Sequence, residues 1–397
     1  MQLNATAAWE PTQPDVLYVI TGLHVGGSER QLSVLASALG QSGMKVAVYS
    51  FVDGPVRAVL QQNGVEVVLA PGGGPSTFRG FVLAAFHLLW FMARRRPRIA
   101  HFFLPAAYLI GAPMAVLVRV PVRVMSRRSL NIYQRTPVAR VAERCLHRAM
   151  HAVLGNSRGV VDQLKAEGAT VTRLGLIYNG VDDRAYQKAN RRDETRAGLG
   201  LAPDALVICI VANLIPYKGH RDLIEALGRA AARLPSSWHL LVVGHDTGIG
   251  PALQKQASEL GVRENISFLG ARDDIPALLG ASDIGVLCSH QEGFANAVLE
   301  GMAAGLPMVV TSVGGNTEAV VDGETGVVVP PHDSESLAAA MVQLADDGAL
   351  RARLGDAGRQ RAIMQFGVQH FVESHRALYH ALHAGRRPSD VPGVAIG

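Results

Sequence analysis

Glu292-Gly293-Phe294-Ala295-Asn296-Ala297-Val298-Leu299-Glu300 joins a strand to a helix and sets two carboxylates eight positions apart. The residues before it, Ser282 to Ser289, have the apolar, compact look of a buried parallel strand. From Asn296 to Gly305 the chain reads as a helix, with Asn296 expected as N-cap and Val298, Leu299 and Met302 forming an apolar stripe. Glu292 then lies in the loop above the strand's carboxyl end, and Glu300 about one turn into the helix. The backbone N–H groups of Phe294 to Ala297 open toward the same crevice, where a helix start holds an anion. Carboxylates that accept from sugar hydroxyls, with amides between them for a phosphate, suit a nucleotide sugar. Taken alone, the pair equally suits two surface glutamates at a helix start, so the rest of the chain decides.

Outward from this stretch, both halves repeat one grammar. In the first, Asp15 to Ile20 reads as a strand, Gly22 to Gly27 as a glycine-bearing loop, and Ser28 to Leu39 as a helix with Ser28 and Gln31 spaced as a capping box. Strands follow at Lys45 to Phe51, Val65 to Ala70, Ile99 to Phe103, Arg123 to Ser126 and Ala152 to Gly155, with Phe81 to Arg96 helical. The second half restarts with Leu206 to Ala212, the helix Leu223 to Leu234, and strands at His239 to Gly244, Ile266 to Gly270, Met308 to Thr311 and Thr325 to Val329. Helices Ser334 to Ala345 and Ala349 to Met364 complete it. The fold class is therefore α/β: two Rossmann-like doubly wound parallel-sheet domains facing across a cleft, with ligand loops at the strand carboxyl ends. The first domain covers 1–185 and the second 186–365, the boundary falling in the charged stretch Val181 to Asp204. The tail 385–397, with two prolines and little apolar content, reads as disordered.

At 397 residues the chain suits two domains. Cys145, Cys209 and Cys288 are too few and too scattered for a disulfide framework or zinc spacing, which fits a reducing cytoplasm. Met1 to Pro14 has neither the basic residues nor the apolar run of a signal peptide. The apolar stretch Gly80 to Met92 falls short of the ~20 residues a spanning helix needs. Residues 1–185 hold 20 Lys+Arg against 10 Asp+Glu, and the remainder 18 against 23, so a net of +10 faces one of −5. Weak aromatic interleaving in the basic half argues against nucleic acid. Arg94-Arg95-Arg96-Pro97-Arg98, beside an apolar helix face, makes an anionic membrane surface a candidate partner at the inner face of the plasma membrane. An ordinary domain helix with a solvated basic end explains the same pattern.

Val211-Ala212-Asn213-Leu214-Ile215-Pro216-Tyr217-Lys218-Gly219-His220 puts Lys218 in a strand-to-helix loop, where a flexible cation reaches a phosphate. Ser312-Val313-Gly314-Gly315-Asn316-Thr317-Glu318 adds two glycines between a strand and a helix, allowing close backbone approach or an unusual backbone angle. With these motifs the chain resembles the retaining GT-B glycosyltransferases of family 4 (glycosyl transferases group 1), through their E-x7-E motif, phosphate-binding loop and Gly-Gly turn. The resemblance is nearly continuous from Ser289 to Gly326 and extends to Tyr178-Asn179-Gly180-Val181-Asp182, the family's interdomain linker.

The resemblance implies a donor site made of Lys218, Asn213, Glu292, Gly293, Phe294, Ala295, Asn296 and Glu300, with the Gly26-Gly27 loop approaching the donor phosphate or reacting sugar. Glu292 would orient the sugar, Glu300 hold the ribose, and Lys218 stabilise the leaving diphosphate. Asn213 departs from the family's usual Arg. His101 and Arg128 are the candidates for the acceptor side, the second for an anionic acceptor such as a lipid pyrophosphate. A C-terminal helix, 366–384, is expected to return to the first domain. The chain has no Asp-x-Asp pair, so no metal or other cofactor is expected. The expected partners are a nucleoside diphosphate sugar, UDP- or GDP-linked, and a glycan or lipid-linked acceptor in cell-surface polysaccharide or glycolipid synthesis. A GT-B epimerase or phosphorylase shares the architecture but usually not this motif set, and a non-catalytic carbohydrate-binding protein explains the basic half but leaves the paired Glu and Lys218 unused. An NAD-dependent oxidoreductase needs G-x-G-x-x-G after the first strand, and Gly22-Leu23-His24-Val25-Gly26-Gly27 does not supply it.

Overall fold

The structure, a computed structural model, describes residues 13–73, 77–130, 137–187, 191–394 and 396. Residues 1–12 of the N-terminal stretch, with Asn131 and Arg135 of the basic half, lie outside the described residues. The chain forms two compact units: 1–155, 161–177 and 372–397 make the first, and 156–160 with 178–371 the second.

In the first unit the strands are β1 Val16–Gly22, β2 Val46–Val52, β3 Glu66–Leu69, β4 Ile99–Phe103, β5 Val122–Arg127, β6 Ala152–Gly155 and β7 Leu174–Leu176. They form one parallel sheet in the order β3-β2-β1-β4-β5-β6-β7. Val16 to Ile20 of β1 are fully buried, as a central strand covered on both faces must be. The second unit holds β8 Val207–Val211, β9 His239–Val243, β10 Ile266–Gly270, β11 Ile284–Leu287, β12 Met308–Thr311 and β13 Gly326–Val329. These are also all parallel, in the order β10-β9-β8-β11-β12-β13. In each sheet the strand order reverses beside the first strand, between β1 and β4 and between β8 and β11. Ligands of open α/β sheets bind at the carboxyl ends of the strands flanking such a switch point.

Several local expectations change. Ser28 does not cap its helix: the helix runs Gly27–Gln41 with Gly26 as an extended N-cap and no side-chain cap. The chain passes to the second unit at Tyr178, not near residue 185, because Val181 exchanges backbone hydrogen bonds with Phe366 and Val368. Asn156 to Val160 also pack in the second unit. The C-terminal helix Val368–His383 contributes to the first unit from Val372 onward, where the Tyr379 hydroxyl lies 3.0 Å from that of Tyr18. The tail expected to be disordered packs through residue 394: Val391 and Val394 are buried, and the Leu176 N–H donates to the Val394 carbonyl. Two valines at the right spacing outweigh the polar residues around them, because apolar area removed from water sets the balance.

Candidate functional site

In the second unit, the loops leaving β8 and β11 meet at the switch point. Lys218 ends the short turn Pro216–Lys218, and Gly219 after it takes φ +73°, so that the helix His220–Ala230 can start at once. A Cβ on Gly219 would come within 2.0 Å of the Cys288 carbonyl oxygen, so the two loops touch backbone to backbone. Cys288 is buried, its thiol donating to the Gly219 carbonyl at 3.2 Å, and burial pushes its pKa up to about 12. It is a packing residue, as is Cys209, pushed by burial to the same value.

Across this contact Lys218 Nζ donates to Glu292 Oε1 at 2.6 Å, their side chains 18% and 11% exposed. The sequence reading gave both residues a role but did not join them. Paired, they hold a positive and a negative group at fixed places on the switch point, each shielded enough to act more strongly than in bulk water. Glu300 lies two helical positions short of Met302 in Asn296–Ala303 and is 5% exposed.

The loop between the glutamates is held by two asparagines of the second unit. Asn179 Nδ2 donates to the Phe294 carbonyl at 2.8 Å and to Asn296 Oδ1 at 2.7 Å. Asn156 Nδ2 in turn donates to Asn179 Oδ1. Asn296 is therefore not the N-cap: that place falls to Ala295, and the Asn296 amide is turned to Asn179. Phe294 is buried with its ring 4.9 Å from Tyr178 and 5.2 Å from Phe366, so its side chain anchors the loop. The first-turn N–H groups of Asn296–Ala303 have no intrahelical acceptors, as at any helix start.

Gly314 and Gly315 make their close approach to this same loop. A Cβ on Gly314 would lie 1.9 Å from the Glu292 carbonyl oxygen, and one on Gly315 2.4 Å from the Phe294 ring. Gly315 N–H donates to the Gly293 carbonyl at 2.8 Å. Glu318 accepts from the Tyr178 hydroxyl and from the Arg158 backbone N–H, a structural part. Asn213, where the family has Arg, accepts from the His245 N–H at 3.1 Å and so joins the ends of β8 and β9.

The first unit presents its own pocket at the carboxyl ends of β4 and β5, lined by Ser28, Leu104, Tyr108, Arg127, Arg128 and Ser129. Gly26 and Gly27 start the helix that carries Ser28. Leu104 there holds φ +70° and ψ 153°, a conformation rare for a side-chain-bearing residue and typical of strained functional turns. The Arg128 guanidinium sits 5.1 Å over the Phe103 ring. Burial lowers its pKa to about 10, so it remains a cation at neutral pH. Arg127 is committed to Glu143 and Glu167.

His101 does not stand where a reacting group could reach it. It is fully buried in β4, Nδ1 at 2.7 Å from the Tyr379 hydroxyl and Nε2 at 2.7 Å from Ser126 Oγ. Burial first, then His375 and Arg128, hold its pKa well below the usual imidazole range. Both nitrogens are satisfied inside the unit, so His101 is a neutral core histidine. The partner that settles this, Tyr379, is 278 positions away, and no local signal could have named it.

Residues 191–361 match the family described as glycosyl transferases group 1, and residues 25–185 match glycosyltransferase family 4. A D-inositol 3-phosphate glycosyltransferase of Rhodococcus opacus (strain B4) is 33% identical over 60% of this chain and 56% of its own length. An N-acetyl-alpha-D-glucosaminyl L-malate synthase of Bacillus anthracis is 29% identical over 52% of this chain and 53% of its own. The chain thus spans about half the length of the curated relatives it matches. Among solved structures, Anabaena Alr3699/HepE in complex with UDP and glucose superposes with a TM-score of 0.82, at 23% identity, over 92% of this chain and 98% of that one. That likeness establishes a common fold.

Proposed function

Because the chain belongs to the glycosyltransferases of group 1 and family 4, which its two halves match in turn, we propose that it transfers a sugar, with retention, from a nucleoside diphosphate sugar. The observation that carries this reading is the Lys218–Glu292 pair at the switch point of the second sheet, with Glu300 on the helix that follows. The donor diphosphate takes Lys218 as counter-charge and the helix-start amides of Asn296 and Ala297 as donors. Glu300 accepts from ribose hydroxyls, and Glu292, released from Lys218 as the diphosphate arrives, holds the sugar. The acceptor hydroxyl attacks from the leaving-group face, so no protein nucleophile is needed. Positive charge from Lys218 and the helix start meets the charge growing on the diphosphate, and no metal is assigned a step. The UDP of the Anabaena complex makes uridine the first nucleoside to test.

Donor binding is read directly by thermal unfolding. At a hundredfold excess over Kd one nucleotide sugar raises stability by about 2.7 kcal/mol, a shift of several degrees. UDP-, GDP- and ADP-sugars are screened in parallel, and Glu300→Ala removes the shift. If no sugar nucleotide shifts the wild type, and Glu300→Ala leaves donor hydrolysis unchanged, the transferase reading fails.

Arg128, a half-buried cation lining the pocket of the first unit, supports an anionic acceptor. The relatives named above act on inositol phosphate and malate, by their names. A lipid pyrophosphate presents the same charge, and the helix Phe78–Arg95 favours it. That helix buries Ala84, Leu88 and Met92 but exposes Leu83, Phe86 and Trp90, with Arg94 6.0 Å from the Trp90 ring. Among the described residues no helix is long and apolar enough to cross a membrane. Arg95 is spent on Glu66 and Arg98 on Asp15, which leaves Arg94 and Arg96 for headgroups. Flotation with anionic vesicles is expected at low salt and should weaken as salt screens the arginines. Absence of binding to anionic vesicles at moderate salt ends the membrane reading. Phe86→Ser with Trp90→Ser should abolish flotation without unfolding the chain, since both side chains are mostly exposed.

A further inference from the structure

We propose that Asp222, His290 and His332 form a binding site for one divalent first-row ion, Zn2+ foremost, which clasps the helix following β8 to the loops following β11 and β13. One ligand atom from each lies within 4.8 Å of the others. His290 Nε2 is 2.7 Å and His332 Nδ1 4.0 Å from the same oxygen, Asp222 Oδ2. An ion with bonds of about 2.0–2.2 Å to nitrogen and oxygen separates tetrahedral ligand atoms by roughly 3.3 Å, between those two distances. A slight opening of His290 from Asp222, with an outward swing of the His332 ring, which is 66% exposed, gives the ion its room; the swing carries the two rings from 3.6 Å to the roughly 5 Å that two imidazoles on one tetrahedral ion keep.

Two features point to a ligand beyond the hydrogen bond already present. The imidazoles of His290 and His332 lie ring against ring at 3.6 Å, yet only His290 is hydrogen-bonded to the carboxylate. His332 also holds φ +61°, a backbone region that side-chain-bearing residues seldom occupy, and this sets its ring over the pair. The fold supplies the support. Asp222 sits in the first turn of His220–Ala230, against which the helix Ser334–Asp346 after His332 packs. His290 is fixed by its own N–H to the Tyr217 carbonyl at 2.7 Å.

A second cluster, Glu143, His147 and Glu167, makes the contrast. There the Arg127 guanidinium already stands between the carboxylates, so a cation is built in. Among the described residues no Lys or Arg pairs with Asp222. Two imidazoles and one carboxylate select a borderline ion over Mg2+, which prefers oxygen ligands. The exposed side of His332 leaves the remaining positions to water. The site uses neither Lys218, Glu292 nor Glu300, so it stands or falls apart from the transfer reaction.

The test is titration of the full-length, chelator-stripped chain with ZnCl2, followed by calorimetry and thermal unfolding, with CoCl2 as a spectroscopic probe. Wild type should take up one equivalent that raises the melting temperature and gives a Co2+ ligand-field band, and MgCl2 should do neither. His332→Gly and Asp222→Asn should each weaken Zn2+ by about tenfold or more and remove the band. Without metal, His332→Gly should melt no lower than wild type, because glycine relieves the positive φ, so its loss of binding is not a folding defect. Equal Zn2+ uptake by wild type and both variants, an equal response to Mg2+, or no uptake by wild type overturns the proposal.

Discussion

Replacing Lys218 by Met is expected to lower kcat for sugar transfer by about 100- to 1,000-fold, or about 2.7–4 kcal/mol of transition-state stabilisation, the effect of removing one preorganised charge-stabilising group. The loss falls on kcat as well as on donor KM, because charge on the diphosphate grows as the glycosidic bond breaks. The variant also leaves the Glu292 carboxylate, 11% exposed, without the cation 2.6 Å away. An unpaired anion there repels the donor and is costly in itself. Lys218→Met with Glu292→Gln should therefore regain donor affinity relative to Lys218→Met alone, yet not rate. Steady-state kinetics with the donor identified by thermal shift makes the comparison. A kcat within threefold of wild type for Lys218→Met would remove Lys218 from the chemistry. Lys218→Arg is expected to be a poor substitute, since a planar fork does not replace a point charge in the same space.

The second large effect is on stability. Gly314→Ala puts a methyl group where only 1.9 Å separates it from the Glu292 carbonyl oxygen, at a residue with φ +50°. Overpacking of this kind costs about 1–3 kcal/mol, and the backbone angle adds roughly 1 kcal/mol. The clash is with main chain, which cannot swing aside as a side-chain tip can. A fall in melting temperature of roughly 6–12 °C follows for a unit of this size, together with loss of the donor-induced shift as the Glu292 loop moves. Gly323→Ala is the control: φ is +70° there, but nothing lies within 4 Å of the added carbon. It should bear the backbone cost alone. Equal melting temperatures for the two variants would show that Gly314 is needed only for its angle and not for its fit against Glu292.

The strands and most helices were legible because their signals are short-range. Val-Leu-Tyr-Val-Ile reads as a covered strand wherever it occurs, and the observed β1, Val16–Gly22, differs from expectation only at its ends. Helix starts were less legible. Ser28 and Asn296 have the side chains of N-caps, yet Gly26 and Ala295 hold those places. In the second case Asn179, 117 positions earlier, takes the amide that would have capped the helix. A tertiary partner outweighs a preference worth only about 1 kcal/mol. Which cations of the basic half are already paired was not legible, for a similar reason. Arg95 and Arg127 raise the count of free-looking cations, but Glu66 in one case, and Glu143 with Glu167 in the other, neutralise them inside the first unit.

The stretch from Glu292 to Glu300 by itself determined a strand-to-helix junction with two carboxylates on a parallel α/β sheet, and the repeated grammar around it determined two such units. Alternation of apolar runs with amphipathic helices is enough for that, because each element announces its own buried face. Only the tertiary structure decided which of the marked residues lie together. It joined Lys218 to Glu292 across 74 positions, sealed His101 in the core against Tyr379, and turned Gly314 onto the Glu292 carbonyl and Gly315 onto the Phe294 ring. It also drew His290 and His332, unremarkable where they stand in sequence, to a single oxygen of Asp222. Sheet order sets those meetings, and sheet order is a property of the whole chain that no nine residues can contain.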